Sequence, residues 1–312
     1  MSSSAVASGD SGVAAKHAIG TELDDRTWRW LTFAPAAVLM LVFSILPVVN
    51  LFALSFMDIT WSGGKAAIRA AGLSHYAALP QDTLFKAGLR NTLVFAAFAV
   101  VGQMFLGFAL ALMASSVTRG RIFYRTVFIL PILIPGIVIG AIWKLMYHPD
   151  FGLINQLFGA VGLGPFEWLK SADTALMSVI IVDIWHWMPF CFLLFLAGLE
   201  SLPQDVYEAA RIDGASWWRQ LVHITLPLMA PTILVTLAFR VIVAFKVFDE
   251  IYLLTSGGPG TSTEVVSFTI YQRFFTEDRA GFGAAMSVTV IFIVAALLIV
   301  AMSARSKVEA AT

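Results

Sequence analysis

Inside the apolar stretch 175–199, Asp183, His186, Trp187 and Phe190 follow one another at offsets of three, four and seven, the spacing that puts side chains on one helical face. A carboxylate beside aromatic rings suits the non-covalent recognition of a sugar or polyol, whose hydroxyls need acceptors and whose C–H faces stack on tryptophan. An equally weighted alternative is structural, with Asp183 pairing to an Arg or Lys of the next apolar segment. That segment carries Arg240, Lys246, Asp249 and Glu250, whose formal charges cancel. Lys246 and Glu250, four apart, are spaced to pair with each other. Phe245 shares the face of Asp249, which makes Phe245, Lys246 and Asp249 further lining candidates. An ionisable group at mid-bilayer costs at least about 2.5–3.5 kcal/mol on insertion scales, so each of these needs a partner or a watery cavity.

Bond-making chemistry has no support. Gly63, Gly64 and Lys65 lack the upstream glycine and the following Ser or Thr of a phosphate-binding loop, so the chain is not expected to be its own ATPase. Neither HExxH nor G-x-S-x-G occurs, and His17, His75, His148, His186 and His223 are scattered over different segments. Cys191 is the single cysteine and reads as a small packed residue, which excludes an intrachain disulfide and a cysteine metal site. No catalytic residue, no metal ligand and no cofactor bound by this chain are expected.

The elements that must position these groups belong to a membrane solvent. Only 13% of the residues are charged and 59% are hydrophobic, against a norm of about 25% charged for soluble domains. Net charge is zero, which argues against nucleic acid as a partner. The expected architecture is all-α, a polytopic membrane helix bundle with six transmembrane helices over about 31–56, 92–117, 122–147, 175–199, 228–255 and 282–304. The first 27 residues read as a disordered tail before an uncleaved first span, and 305–312 as a second tail, flanking a transmembrane domain over 28–304. The cluster Arg119, Arg121 and Arg125 has no acid near it and places both termini of the multi-pass chain in the cytoplasm. Prolines 131, 135, 189 and 231 punctuate the spans. Gly102, Gly107, Gly136 and Gly140 offer small surfaces for close helix packing, and Lys144 is placed to snorkel.

One connector is too long to be only a connector: the polar stretch 201–227 between the fourth and fifth spans. Pro203 suits a first helical turn, Gly214 breaks the helix, Ser216 can cap a second one, and Pro227 marks where the next span begins. A cytoplasmic helix–turn–helix results. Its Glu208, Ala209 and Ala210, followed after three residues by Gly214, after nine more by Ile224, and then by Leu226 and Pro227, resemble the EAA loop of permease subunits in binding-protein-dependent ATP-binding-cassette importers. The resemblance implies that the loop docks into a groove on an ATPase subunit, with Glu208, Ala209, Ala210, Arg211, Asp213 and Gly214 as the coupling residues. Phe248, Asp249, residues 251–260 (IYLLTSGGPG) and 262–266 are similar to the end of span five in the carbohydrate branch, which includes maltose and glycerol-phosphate permeases.

What the resemblance implies in full is a subunit forming the pathway for a sugar, polyol or sugar derivative. Its partners would be a second homologous permease in a heterodimer, two ATP-binding-cassette ATPase subunits that use ATP and Mg, an extracytoplasmic solute-binding protein and the lipid bilayer. A phosphorylated or sulfonated sugar would want excess positive charge, which Arg240 with Lys246 keeps open. Three readings compete. The 201–227 loop could lie on the inner leaflet, anchored by Trp217 and Trp218. The chain could be an ion-coupled secondary transporter, although spans one to three and four to six show no convincing repeat. Or it could be a scaffold, in which Asp183, Lys246 and Asp249 only pack.

Overall fold

The computed structural model describes residues 25–62, 65–116 and 120–309, so most of the expected N-terminal tail lies outside the described residues. By its contacts the chain divides into two units, 1–51 and 52–312. The first contributes most of helix α1, Asp25–Ser55, with Pro35 and Pro47 inside it. In the second, a hairpin β1 (Met57–Ser62) and β2 (Lys65–Ala70) is followed by the short helix α2 (Ser74–Ala78) and by the long helix α3 (Thr83–Ser115). Then come α4 (Arg121–Ile129), α5 (Gly136–Met146), α6 (Leu153–Ala160) and α7 (Ala175–Glu200). The remainder is α8 (Gln204–Ile212), α9 (Trp217–Gln220), α10 (Leu226–Ala244), α11 (Asp249–Leu254), α12 (Val266–Tyr271) and α13 (Ala280–Glu309). Among the described residues, α1, α3, α7, the run Trp217–Ala244 and α13 are each long and apolar enough to cross a membrane. The pair α4 and α5 brings the number to six if it counts as one broken span.

Four differences from the sequence reading have local causes. The third span is not straight: its two halves meet at 94°. Pro131 opens the 3₁₀ turn Leu130–Leu133, and Ile134, held extended by the following Pro135, ends it, so the helical ladder cannot continue. The fifth span also breaks, leaving helix after Ala244 and resuming at Asp249. Helix α3 starts earlier than its apolar stretch because Asp82 caps it, accepting from the Phe85 amide at 2.8 Å. The hairpin was not expected in an all-helical chain. Its strands alternate and pair Ile59 with Ile68 and Asp58 with Arg69, on either side of Gly63–Gly64 in sequence.

The core is the seam between α3 and α7, the most extensive helix–helix packing in the fold. Phe95, Ala99, Val179 and Val182 are fully buried there. Cys191 is a packed residue on this seam, as read from sequence. A Cβ on Gly107 would sit 2.7 Å from the Cys191 Cβ and 2.9 Å from the Phe192 backbone nitrogen, so the helices touch because this position has no side chain. Gly140 does the same for α5 against Leu253 of α11. Gly107→Ala is therefore expected to destabilise the protein by about 1–3 kcal/mol through overpacking against backbone that cannot move aside. Gly159→Ala, on open surface of α6, is expected to be neutral or slightly stabilising. Thermal unfolding of the two variants in detergent checks the contrast.

Polar ties fasten the segment before α12 onto α3. Asn91 Nδ2 donates to the carbonyls of Thr261 and Glu264 at 2.8 and 2.9 Å, and Thr92 Oγ1 accepts from the Val266 amide at 2.9 Å. Burial pushes the Glu264 carboxyl above its usual range, against the opposing pull of the Thr269 hydroxyl and Arg273. Arg273 bridges Asp82 at 2.7 Å and Glu277 at 2.6 Å.

Candidate functional site

A cavity of about 440 Å³ lies where α5, α7 and the break between α10 and α11 meet. Asp183, His186 and Trp187 of α7 line one side, Lys246 and Phe248 of the break and Asp249 and Glu250 of α11 another, and Pro135 and Gly136 a third. Five of the seven pathway candidates, Asp183, His186, Trp187, Lys246 and Asp249, thus share one cavity. The other two do not reach it. Phe190 stacks on Phe239 at 4.6 Å between ring centres, and Phe245 is buried in the core because the chain turns out of helix at that residue.

Two expectations about charge pairs resolve differently. Lys246 does not pair with Glu250. The helix break lies between them, so their four-residue spacing no longer sets one face, and the Glu250 Oε1 lies 3.0 Å from His186 Nδ1 instead. Lys246 and Asp249 are exposed. Asp183, by contrast, does pair across helices. Its Oδ2 lies 3.4 Å from Arg240 Nη2 and accepts from Gln103 Nε2 at 2.6 Å, while Arg240 Nε donates to Gln103 Oε1 at 2.7 Å. Gln103 also donates to the Asp183 carbonyl at 3.0 Å, so α3, α7 and α10 meet in one buried polar network, in which Arg240 Nη1 alone has no partner among the described residues. The Arg240 guanidinium sits 4.6 Å over the Trp187 ring. Asp183 therefore both pairs and lines the cavity, which joins the two alternatives read from sequence. Gln103 was missed, although a signal existed: it is the one side-chain amide in the apolar stretch 92–117. Lys144 is exposed at the end of α5 and donates to the Leu253 carbonyl at 2.8 Å, tying α5 to α11.

The 201–227 loop has a geometry of its own. Helix α8 ends in a Schellman motif: the Ala215 amide reaches the Ala210 carbonyl at 2.9 Å and the Gly214 amide the Arg211 carbonyl at 3.1 Å. Gly214 holds φ at +74°, which a residue with a side chain adopts only at a cost of roughly 1–2 kcal/mol. Ser216 Oγ then caps α9, accepting from the Arg219 amide at 3.4 Å. The second helix of the expected helix–turn–helix is not separate. It runs from Trp217 through a π segment, Leu221–Thr225, into α10, and the π turn takes up the misfit of Pro227, which has no amide to bond back into the ladder. Tyr207 and Thr225 hydroxyls, 2.9 Å apart, brace α8 against this stem. Glu208, Ala209, Arg211, Asp213 and Gly214 are exposed and Ala210 is half-buried.

Residues 103–310, from Gln103 of the polar network through both sites, match the family described as binding-protein-dependent transport system inner membrane component. The chain belongs to this family of permeases. It is 36% identical over 272 residues to the trehalose/maltose transport system permease protein MalF of Thermococcus litoralis, covering 87% of this chain and 91% of that one. The sulfoquinovosyl glycerol transport system permease protein SmoG of Agrobacterium fabrum is 34% identical over 267 residues, covering 86% of each chain. In fold, the permease is similar to a chain in the crystal structure of a bacterial ABC transporter involved in the import of the acidic polysaccharide alginate. The TM-score is 0.77 at 26% identity, with 90% of this chain and 99% of that one covered. The family is one of multi-pass inner-membrane proteins, which the several apolar helices of this permease fit.

Proposed function

We propose that this permease forms half of the translocation pathway of an importer for a sugar, polyol or sugar derivative, driven by ATP hydrolysed with Mg on separate ATPase subunits. Its partners in this reading are a second homologous permease, two ATP-binding-cassette ATPases and an extracytoplasmic solute-binding protein, with both termini in the cytoplasm. The names of its relatives, which include trehalose/maltose and sulfoquinovosyl glycerol permeases, support the solute class. One observation carries the mechanism. The helical run Trp217–Ala244 joins the exposed α8 loop at one end to the cavity-lining break at the other.

In that mechanism Glu208, Arg211 and Asp213 dock α8 in the ATPase groove, with Ala209 and Ala210 small enough for close approach and Gly214 making the turn. Closure of the ATPases pulls α8. The run Trp217–Ala244, 28 residues and about 42 Å at 1.5 Å per residue, moves as a rod. Its far end carries Arg240 and the break at 245–248, so the motion arrives at the wall formed by Lys246, Phe248 and Asp249. Asp183, His186 and Trp187 on the facing helix offer acceptors and a stacking ring for hydroxylated solutes. Proteoliposomes holding the four-subunit complex test the reading. Uptake of labelled maltose, trehalose or glucitol that requires both internal ATP and the external binding protein supports it, whereas uptake that follows an imposed proton or sodium gradient and ignores ATP contradicts it.

A further inference from the structure

We infer that the cavity admits neutral polyhydroxylated solutes and excludes acidic ones, with Asp249 and Glu250 as the residues that set this preference; the inference rests on the sugar-pathway reading. The sequence offers two cations, Arg240 and Lys246, that could together hold a sulfonate, phosphate or carboxylate on a sugar. The fold withdraws the first of them. Arg240 is fully buried, bonds through Nε to Gln103 Oε1 at 2.7 Å and through Nη2 to Asp183 Oδ2 at 3.4 Å with Nη1 left without a partner among the described residues, lies against the Trp187 ring, and is absent from the cavity lining.

Lys246 is then the sole Lys or Arg on the cavity wall among the described residues, and it shares that wall with Asp183, Asp249 and Glu250. His186, the remaining titratable group there, is taken up by Glu250 at 3.0 Å. An incoming anion would give up its hydration beside the Asp249 and Glu250 carboxylates with Lys246 to compensate, since the Asp183 charge is already faced by Arg240 at 3.4 Å, and the protein wall screens such charges less than water does. A neutral sugar meets the opposite situation. Its hydroxyl protons find carboxylate acceptors, its oxygens find the Lys246 ammonium, and its C–H face finds Trp187.

The test removes the binding protein, so that its own preference does not enter. The permease, purified with its co-expressed partner subunits in lipid nanodiscs, is titrated with two matched pairs, maltose against maltobionate and glucose against glucuronate. The signal is the part of the tryptophan fluorescence change that Trp187→Phe abolishes. The neutral member of each pair is expected to bind at least tenfold more tightly than the acid, and Asp249→Lys to narrow that gap to threefold or less. Equal or tighter binding of the acids in the unsubstituted permease, or a gap that Asp249→Lys leaves unchanged, overturns the charge preference and leaves the pathway reading standing. If none of the four gives a Trp187-dependent signal, the sugar-pathway reading falls, and this inference with it.

Discussion

Replacing Arg240 by leucine is expected to destabilise the permease by about 3–5 kcal/mol, the usual consequence of removing one partner of a buried ion pair. The side chain is fully buried and Asp183 is nearly so. Without the guanidinium, among the described residues Asp183 Oδ2 keeps a single donor, Gln103 Nε2 at 2.6 Å, and Gln103 Oε1 loses its only one, Arg240 Nε at 2.7 Å. Two buried acceptors are thus left short at once, where each orphaned group costs roughly 1–3 kcal/mol and a charged one more. Adding Asp183→Asn to the leucine variant should restore a large part of the loss. The asparagine carries no charge, and its amide can donate to the vacated Gln103 Oε1. Thermal unfolding in detergent, run as a double-mutant cycle, measures this. A loss below about 1 kcal/mol for Arg240→Leu, or a double variant less stable than the single one, contradicts the network as a support of the fold.

Reversing the charge at Glu208 should leave the fold alone and stop transport. Glu208 is exposed, and exposed substitutions usually change stability by no more than about 0.5 kcal/mol. Yet if α8 is the part that enters the ATPase groove, a buried charge at that contact meets the wrong partner, and truncating or mispairing such groups costs about 2–5 kcal/mol of association. Glu208→Arg is therefore expected to lower ATP-driven uptake at least tenfold with an unchanged unfolding midpoint. Glu208→Gln, which keeps the shape and part of the hydrogen bonding, should lie between. Unimpaired uptake in the arginine variant would remove Glu208 from the coupling surface.

Much of the site could be read from the sequence because it obeys local periodicity. Asp183, His186 and Trp187 lie on one helix without a break before them, and their offsets match their place on the cavity wall, whereas Phe190 on the same face turns to Phe239 instead. The loop was legible for the same reason: Gly214 and Ser216 are local signals, and the structure uses the first as the αL residue of a Schellman motif and the second as a cap. What failed depended on where helices stop or what lies far away in sequence. Phe245 and the Lys246–Glu250 pair were placed on a continuous helix, but the chain leaves helix at 245–248, which sends Phe245 into the core and Glu250 to His186. Gln103 meets Arg240 from 137 positions away, a contact that no periodicity encodes. The bend between α4 and α5 was announced by Pro131 and Pro135, but prolines are common in membrane helices, and only the pairing of two around Ile134 makes a corner.

The central claim, that the α8 loop joins this permease to an ATPase, is tested most directly by co-purification. The permease is expressed with its neighbouring permease and ATPase subunits, solubilised in mild detergent and isolated by a tag on this chain, alongside Glu208→Arg and Gly214→Pro. The account predicts that the ATPase comes down with the unsubstituted permease and is released by both substitutions. Gly214→Pro acts because proline fixes φ near −65° where the turn needs +74°. An ATPase that never associates, or one that stays bound to both variants with ATP-dependent uptake intact, would contradict it.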